Sequence, residues 1–387
     1  MSSVATLSSL ARRAGHAARA LLARRHGALR AEELPFLPWE SAYPPGVDWH
    51  AAIPTRPVFD LLDDSAARFP DHRCIDFLGK DYSYREVHAL ADRAAKGFQA
   101  LGLGKGARVA LFLPNSPYYV IAYYGALKAG CVAVNANPLY AERGLVHVLA
   151  DSEAEVVVTL DEPALYRKLA HALPLTRVRK VVVCPVAEAL PFLKGALWPF
   201  LRMKDRVEIP RDSRHVGFRE LIENDGRFEP VEIRPHEDLA ALQYTGGIDG
   251  RAKGAMLSHA NLYANATQTA MWVSGLERGR ERILAVLPFT HAFGMTVAMN
   301  TSIHIGAELV VLPRFEPGAV LRAIERRRVT LLTGVPAMFG ALGAHRKLDR
   351  HDVSSVKLCV SGGAPLTAAV RRRFERPTGL TILEGYG

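Results

Sequence analysis

The chain has 387 residues, 49% of them hydrophobic and 23% charged, which is enough to bury a large core and is the balance of a folded globular protein. No apolar run reaches the roughly 18 residues that a membrane-crossing helix needs. The net charge is +10, but six arginines (Arg12, Arg13, Arg19, Arg24, Arg25, Arg30) lie within residues 1–30 with no acid among them; without those six the other 357 residues carry +4, so charge makes no case for a nucleic-acid partner.

Residues 1–50 form a basic extension, expected to be flexible. Its Arg- and Ala-rich stretch leaves three readings open: an organelle transit peptide, a basic helix on an anionic membrane surface, or a disordered tail. A secretory signal is excluded, because no long apolar core follows the arginines. From about residue 56 apolar runs alternate with amphipathic stretches. Arg85–Leu103 reads as a helix, with apolar positions three and four apart. Arg108–Leu113 reads as a buried strand stopped by Pro114-Asn115. A helix over Tyr118–Lys128, a strand at Cys131–Val134 and Val-rich strands at Val156–Leu160 and Val178–Cys184 follow.

Residues 189–201 (ALPFLKGALWPFL) interrupt this rhythm with an almost wholly apolar segment, trailed by Arg202, Lys204 and Arg206. It reads either as a hydrophobic hairpin packed on the body or as a patch that docks on a bilayer. Past a polar, Pro-containing stretch near 205–238, strands are expected at Leu239–Tyr244, Ile283–Leu287, Glu308–Leu312, Leu331–Gly334 and Lys357–Ser361, with helices between them. Such alternation indicates an α/β fold with mostly parallel sheets. The expected organisation is a first α/β subdomain over 51–235 and a second over 236–387. Cys74, Cys131, Cys184 and Cys359 are widely spaced without paired metal spacing, as expected for four reduced thiols in a cytosolic protein.

The most informative segment runs from Leu242 to His259, LQYTGGIDGRAKGAMLSH. A buried strand enters a loop holding Gly246, Gly247, Gly250 and Gly254, and a helical pattern starts near Ser258. Glycines let backbone N–H groups approach an anion, Thr245 offers a hydroxyl, and Lys253 adds a cation. The spacing is not that of the Walker loop, and a Gly-rich loop by itself is often a plain turn.

The segment resembles the phosphate-binding signature of the adenylate-forming superfamily, which comprises acyl-CoA synthetases, luciferases and peptide-synthetase adenylation domains. Ten of the twelve places of that signature agree or are unrestricted here. Three further segments are similar in order and distance: Leu287–Gly294 around His291, Ser361–Leu366, and Glu384-Gly385-Tyr386-Gly387. Upstream, Asp76–Lys80 and Asn137–Tyr140 resemble bacterial long-chain fatty acid–CoA ligases in particular. The resemblance covers about residues 50–387. It implies a large N-terminal adenylation domain of two stacked, mostly parallel sheets flanked by helices.

It also implies two half-reactions: a fatty-acid carboxylate attacks the α-phosphate of ATP, giving acyl-adenylate and pyrophosphate, and the thiol of coenzyme A then displaces AMP. In the roles so implied, Thr245, Gly246, Gly247, Gly250 and Lys253 hold the β- and γ-phosphates. His291 orients the carboxylate, and Gly362, Gly363, Ala364 and Pro365 line the adenine pocket with Tyr386. Glu384, Gly385 and Gly387 complete that pocket's second segment, and Mg²⁺ bridges the phosphates. Thr245, Lys253 and His291 are thus the candidate catalytic residues. Fatty acid, ATP and coenzyme A are the expected partners, with peripheral contact on the inner face of the membrane and a homodimer as further expectations.

Each role has a plainer alternative. His291 stands between two apolar runs, where a hydrogen-bonded structural histidine is common. Tyr386 reads equally as a core aromatic, and Gly362-Gly363 as a turn. His259 reads as a helix-start residue and His304 as a packed histidine. For the acyl chain only 293–299 and 335–339 stand out.

Two departures from the signature matter. Its Thr-Thr pair is replaced by Ile248-Asp249, which removes two hydroxyls and adds a carboxylate. Two unit charges about 4 Å apart at an effective dielectric near 20 interact by roughly 4 kcal/mol, so Asp249 is expected to weaken ATP binding unless it helps hold Mg²⁺. The sequence also stops at Gly387 within a motif. The Mg²⁺-binding Glu, the ribose-binding Asp, the hinge and the small domain with its catalytic Lys all lie further on in the family, so the chain is expected to be a fragment that is not fully active alone. Activation of a dicarboxylic, aromatic or amino acid, and a non-catalytic nucleotide- or lipid-binding remnant, are the competing readings.

Overall fold

The computed structural model describes residues 39, 42–44, 46–201, 208–246, 252–273 and 275–386. By internal contacts these fall into two units. The smaller holds residues up to Ile53 together with 271–273, and its described part is an aromatic cluster: Tyr43 meets Trp49 at 5.0 Å and Trp272 at 4.5 Å, edge to face. The rest of this section concerns the larger unit.

That unit carries two seven-stranded sheets. The first contains β1 (Arg73–Phe77), β2 (Lys80–Ser83), β10 (Arg282–Ala285), β11 (Glu308–Val311), β12 (Leu331–Gly334), β13 (Leu358–Ser361) and β14 (Ile382–Glu384), in the order β14-β13-β12-β10-β11-β1-β2. The second contains β3 (Arg108–Phe112), β4 (Val132–Asn135), β5 (Val156–Leu160), β6 (Lys180–Cys184), β7 (His215–Gly217), β8 (Leu239–Thr245) and β9 (Lys253–Ser258), in the order β7-β6-β5-β3-β4-β8-β9. Every pairing is parallel except the edge hairpins β1–β2 and β8–β9. Buried parallel strands read as continuous apolar runs, as in the fully buried Val156–Leu160.

The sheets do not follow chain order. Residues 51–235 supply β1 and β2 to the first sheet and β3–β7 to the second, while residues 236–387 supply β8 and β9 to the second and β10–β14 to the first. Each sheet reverses direction at one place: β10 is followed by β11 on one side while β12 lies on the other, and β3 and β5 are related in the same way. Such switch points open a crevice at the carboxyl ends of the strands.

Helices pack between and over the strands. In α2 (Tyr84–Ala100), Ser83 and Glu86 form a reciprocal capping box. Helix α3 (Pro117–Lys128) is apolar all round and buried at all twelve positions, which suits a helix enclosed on every side. Gly125 makes its contact with α2 feasible, because a Cβ there would stand 2.6 Å from the Cβ of Ala94. At the end of α3, Lys128 is only 4% exposed. Its ammonium donates to Asp63 of α1 (Asp60–Arg68) at 2.5 Å and to Asp92 of α2 at 2.6 Å. Burial would raise the pKa of Asp63, but hydrogen bonds from His88 and Lys128 outweigh it and hold the group below its ordinary value.

Residues 189–201 are mostly helical and not a hairpin: a short helix α6 (Val186–Ala189) is followed by helix α7 (Phe192–Leu201). The four thiols are all free and buried. Burial pushes Cys131 and Cys359 up to about 12, and Cys74 and Cys184 upward as well.

Lys128→Met removes the buried cation shared by Asp63 and Asp92 and leaves them only His88, so it should cost about 1–3 kcal/mol. Urea unfolding of the purified variant measures this; a change under about 1 kcal/mol would mean that the cluster is solvated.

Candidate active site

The Gly-rich loop is the turn of the β8–β9 hairpin. Thr245 and Lys253 are register partners across its mouth, and both are exposed, as is Gly246. Residues that read as loop before a helix therefore form strand β9 from Lys253 to Ser258, and helix α9 (His259–Trp272) starts only afterwards. Antiparallel pairing with β8 wins over the turn propensity of the glycines, and Gly254 allows it: a Cβ there would come within 3.0 Å of the Tyr244 ring. The hairpin is tethered from outside by Tyr244 Oη, which donates to Asp151 at 2.6 Å, and by a 2.7 Å hydrogen bond between His147 Nε2 and the carbonyl of Ala252. Gly247, Ile248, Asp249 and Gly250 lie outside the described residues, as does Gly387.

His291 sits in the segment that leaves β10 at the first sheet's switch point. This segment is held by buried amides from the second sheet. Asn115, just past β3, donates to the carbonyls of Ala285 (3.2 Å) and Leu287 (2.8 Å) and accepts from the amide of Phe289 (2.8 Å). The Tyr119 hydroxyl of α3 lies 2.6 Å from Asn135 Oδ1 and 2.9 Å from the carbonyl of Phe289, which share its one proton. Asn135 donates to Gln243 Oε1 (2.8 Å), and Gln243 donates to the carbonyl of Thr290 (2.7 Å). Asn115, Asn135 and Gln243 are 3%, 1% and 3% exposed, so these amides have no water to fall back on. Gln243 precedes Thr245 by two residues and Thr290 immediately precedes His291. One buried side chain thus joins the phosphate-loop strand to the histidine segment.

The imidazole itself is exposed and oriented. The Phe293 amide donates to His291 Nδ1 at 3.2 Å, so in the neutral ring the proton is on Nε2, which is left as an outward donor. Gly294 is required behind it, because a Cβ there would lie 2.1 Å from the carbonyl oxygen of Pro288. From Gly294 to Asn300 the chain continues as a π-helix, a form that often marks functional sites.

The Phe293 ring reaches the third segment: a Cβ on Gly362 would meet it at 3.0 Å. Gly362 follows β13 and donates to the carbonyl of Gly334, and Gly363 takes φ +78°, so the turn reading of this pair also fits. Gly363, Ala364 and Pro365 are exposed. The Leu366 amide donates to Glu384 at 2.7 Å and the Gly385 amide to Ser361 at 2.7 Å, which ties the ends of β13 and β14 together. Tyr386 is exposed. Thr245, Gly246, His291, Gly362–Pro365 and Glu384–Tyr386 therefore lie at or beyond the carboxyl ends of strands, where open α/β sheets bind ligands, and Lys253, which opens the antiparallel β9, stands beside the carboxyl end of β8.

The other two histidines are structural. His259 opens α9 and accepts from the Val58 amide at 3.2 Å. The guanidinium of Arg278 lies 3.2 Å from His304 Nε2. Burial lowers both pKa values to about 4. Among the described residues no group of three or more His, Cys, Asp or Glu side chains could hold a metal ion.

Residues 62–387 match the family model described as AMP-binding enzyme. The chain is 38% identical over 354 residues to the long-chain-fatty-acid–CoA ligase of Bacillus subtilis, covering 90% of this chain and 63% of that protein. It is 35% identical over 368 residues to the ligase of the same name from Escherichia coli O157:H7, with the same coverage. It thus spans about 63% of the length of the curated relatives it matches. Among solved structures, a long-chain-fatty-acid-CoA ligase from Archaeoglobus fulgidus superposes with a TM-score of 0.74 at 25% identity, over 89% of this chain and 66% of that one. ATP-bound MatB from Rhodopseudomonas palustris superposes with a TM-score of 0.68 at 27% identity, over 85% and 59%.

Two measurements check this description. Gln243→Leu leaves the Thr290 carbonyl and the Asn135 amide buried without a partner, and should lower stability by about 1–3 kcal/mol in denaturant unfolding. The folded state takes up no proton at His259 or His304 until about pH 4, whereas the unfolded chain does so below about 6.5. Their contribution is therefore complete above pH 6.5 and is lost on acidification towards pH 4, by roughly 3 kcal/mol per histidine. Unfolding free energies that stay flat across that window would contradict it.

Proposed function

The chain belongs to the AMP-binding enzyme family, and on that premise we propose that the protein activates a long-chain fatty acid, first as acyl-adenylate and then as the coenzyme A thioester. The observation that carries this is the single strand β8: its end presents Thr245 opposite Lys253, and its Gln243 holds the backbone beside His291. In this reading the hairpin mouth takes the β- and γ-phosphates. Gly246, Gly247 and Gly250 are assigned as the backbone N–H donors to the phosphates, the Thr245 hydroxyl as a further donor, and the Lys253 ammonium offsets their charge.

His291 acts on the other reactant. With Nδ1 engaged by the Phe293 amide, Nε2–H donates to a carboxylate oxygen and holds it in line with the α-phosphate. The carboxylate oxygen forms the new bond to phosphorus, and the bond from the α-phosphorus to the bridging oxygen breaks, releasing pyrophosphate. Gly362, Gly363, Ala364 and Pro365, with Glu384, Gly385, Tyr386 and Gly387, form the adenine side; the glycines allow a flat ring to approach the backbone.

Coenzyme A is the second substrate, its thiol displacing AMP. Mg²⁺ enters as the companion of ATP and supplies charge neutralisation on the phosphates, since the described residues form no metal cluster of their own. The long-chain preference rests on relatives named for it in Bacillus subtilis and Escherichia coli O157:H7. Peripheral contact with a bilayer belongs to the same reading, because a long-chain acid partitions there.

Opposite responses at two loop positions test the proposal. Lys253→Met should abolish the rise in melting temperature that ATP gives this chain, and Asp249→Thr should tighten ATP binding about tenfold, which is about 1.4 kcal/mol of relieved repulsion. Isothermal titration reads both. In a protein carrying the family's remaining length, pyrophosphate release should be fastest with palmitate, against acetate and benzoate. Release with none of these acids would end the ligase reading, and an unchanged ATP affinity in Lys253→Met would end the assignment of the loop.

A further inference from the structure

The β8–β9 hairpin stands at the edge of its sheet, so β9 has β8 as its single strand neighbour among the described residues. A mouth held on one side frays, and a loop that its ligand must first order binds that ligand more weakly. The two shoulders of this mouth are Tyr244, just before Thr245, and Ala252, just before Lys253.

Both shoulders meet one helix, α4 (Glu142–Asp151). His147 Nε2 lies 2.7 Å from the Ala252 carbonyl, and a carbonyl only accepts, so this ring nitrogen carries the proton. One turn on, Asp151 accepts from the Tyr244 hydroxyl at 2.6 Å. Burial, with the Asp151 carboxylate beside it, holds that hydroxyl well above its ordinary pKa, so it stays a donor. The His147 and Tyr244 rings also meet edge to face at 6.4 Å. Positions four apart share a helix face, whereas Leu145, Val148 and Leu149 bury the other side of α4. The helix is anchored at its start by Asn137–Tyr140, a segment that the nucleotide roles leave unused. Asn137 accepts from the Leu139 amide at 2.9 Å, and Lys168 of α5 (Pro163–Ala172) donates to the Pro138 carbonyl at 3.1 Å.

We propose that His147 and Asp151 are positioning residues for the triphosphate of ATP: they touch no nucleotide atom, but through the Ala252 carbonyl and the Tyr244 hydroxyl they order the hairpin mouth in advance and so set its affinity. The inference rests on the reading of this hairpin as the phosphate site. It has a selective consequence. The β- and γ-phosphates sit in the mouth, whereas AMP has neither, so loosening the mouth weakens ATP and spares AMP.

Isothermal titration of this chain with ATP and with AMP, each in the presence of Mg²⁺, tests it. His147→Leu should raise the Kd for ATP about tenfold and leave that for AMP unchanged. His147→Gln, whose amide nitrogen reaches about where Nε2 stood, should restore most of the ATP affinity. Tyr244→Phe removes one oxygen, should show the same selective loss, and carries the test if His147→Leu does not fold. Equal weakening of ATP and AMP, or no rescue by glutamine, would make His147 a structural part of the fold and overturn the proposal. An ATP affinity unchanged in either His147→Leu or Tyr244→Phe, while Lys253→Met loses it, would overturn the proposal and leave the phosphate reading standing. If Lys253→Met also keeps its affinity, or the wild type binds no ATP, the phosphate reading falls and the proposal with it.

Discussion

Three buried amides hold the two sheets in register at the place where chemistry would occur. Asn115, Asn135 and Gln243 stand at or near the carboxyl ends of β3, β4 and β8 in one sheet; Asn115 and Gln243 bind the backbone of 285–290 leaving β10 in the other, and Asn135 fixes Gln243 from behind. Hydrophobic packing alone would let two sheets slide by fractions of an ångström at little cost. A buried carbonyl that loses its donor does not permit this, because the penalty is local and immediate. Both switch points are therefore fixed relative to each other, and the candidate site inherits that rigidity.

Around this clamp, close approaches determine the rest. Gly294 lets the histidine segment fold back on Pro288, Gly362 accepts the Phe293 ring, and Gly254 makes room for Tyr244. Gly254 and Gly294 remove collisions within their own segments, and Gly362 removes one between the His291 segment and the turn after β13. The β8–β9 hairpin, the His291 segment and the Gly362-Gly363 turn thus belong to one packed structure, although 117 residues separate Thr245 from Gly362.

Much of the scaffold was legible in the sequence, since buried parallel strands announce themselves as apolar runs. Val156–Leu160 and Leu331–Gly334 were read to the residue, and the α/β class followed from their alternation with helices. Strand β9 was not legible, because its glycines and lysine look like loop until β8 is there to pair with them. Nor were β1, whose parallel neighbour β11 lies more than 200 residues away, and β2, which pairs only with β1. The site motifs could be located, but the clamp could not: Asn115 reads as a strand terminator and Gln243 as a polar lapse within an apolar strand. Their meaning lies in a partner from the other sheet, and local patterns carry no record of it.

The buried cysteines have a practical side. With all four thiols enclosed and held protonated by desolvation, the chain offers almost no thiolate at neutral pH. For the experimenter, a cysteine introduced on the surface would be the one reactive sulfur, so fluorophores and spin labels can be attached at chosen positions without first stripping the native residues away.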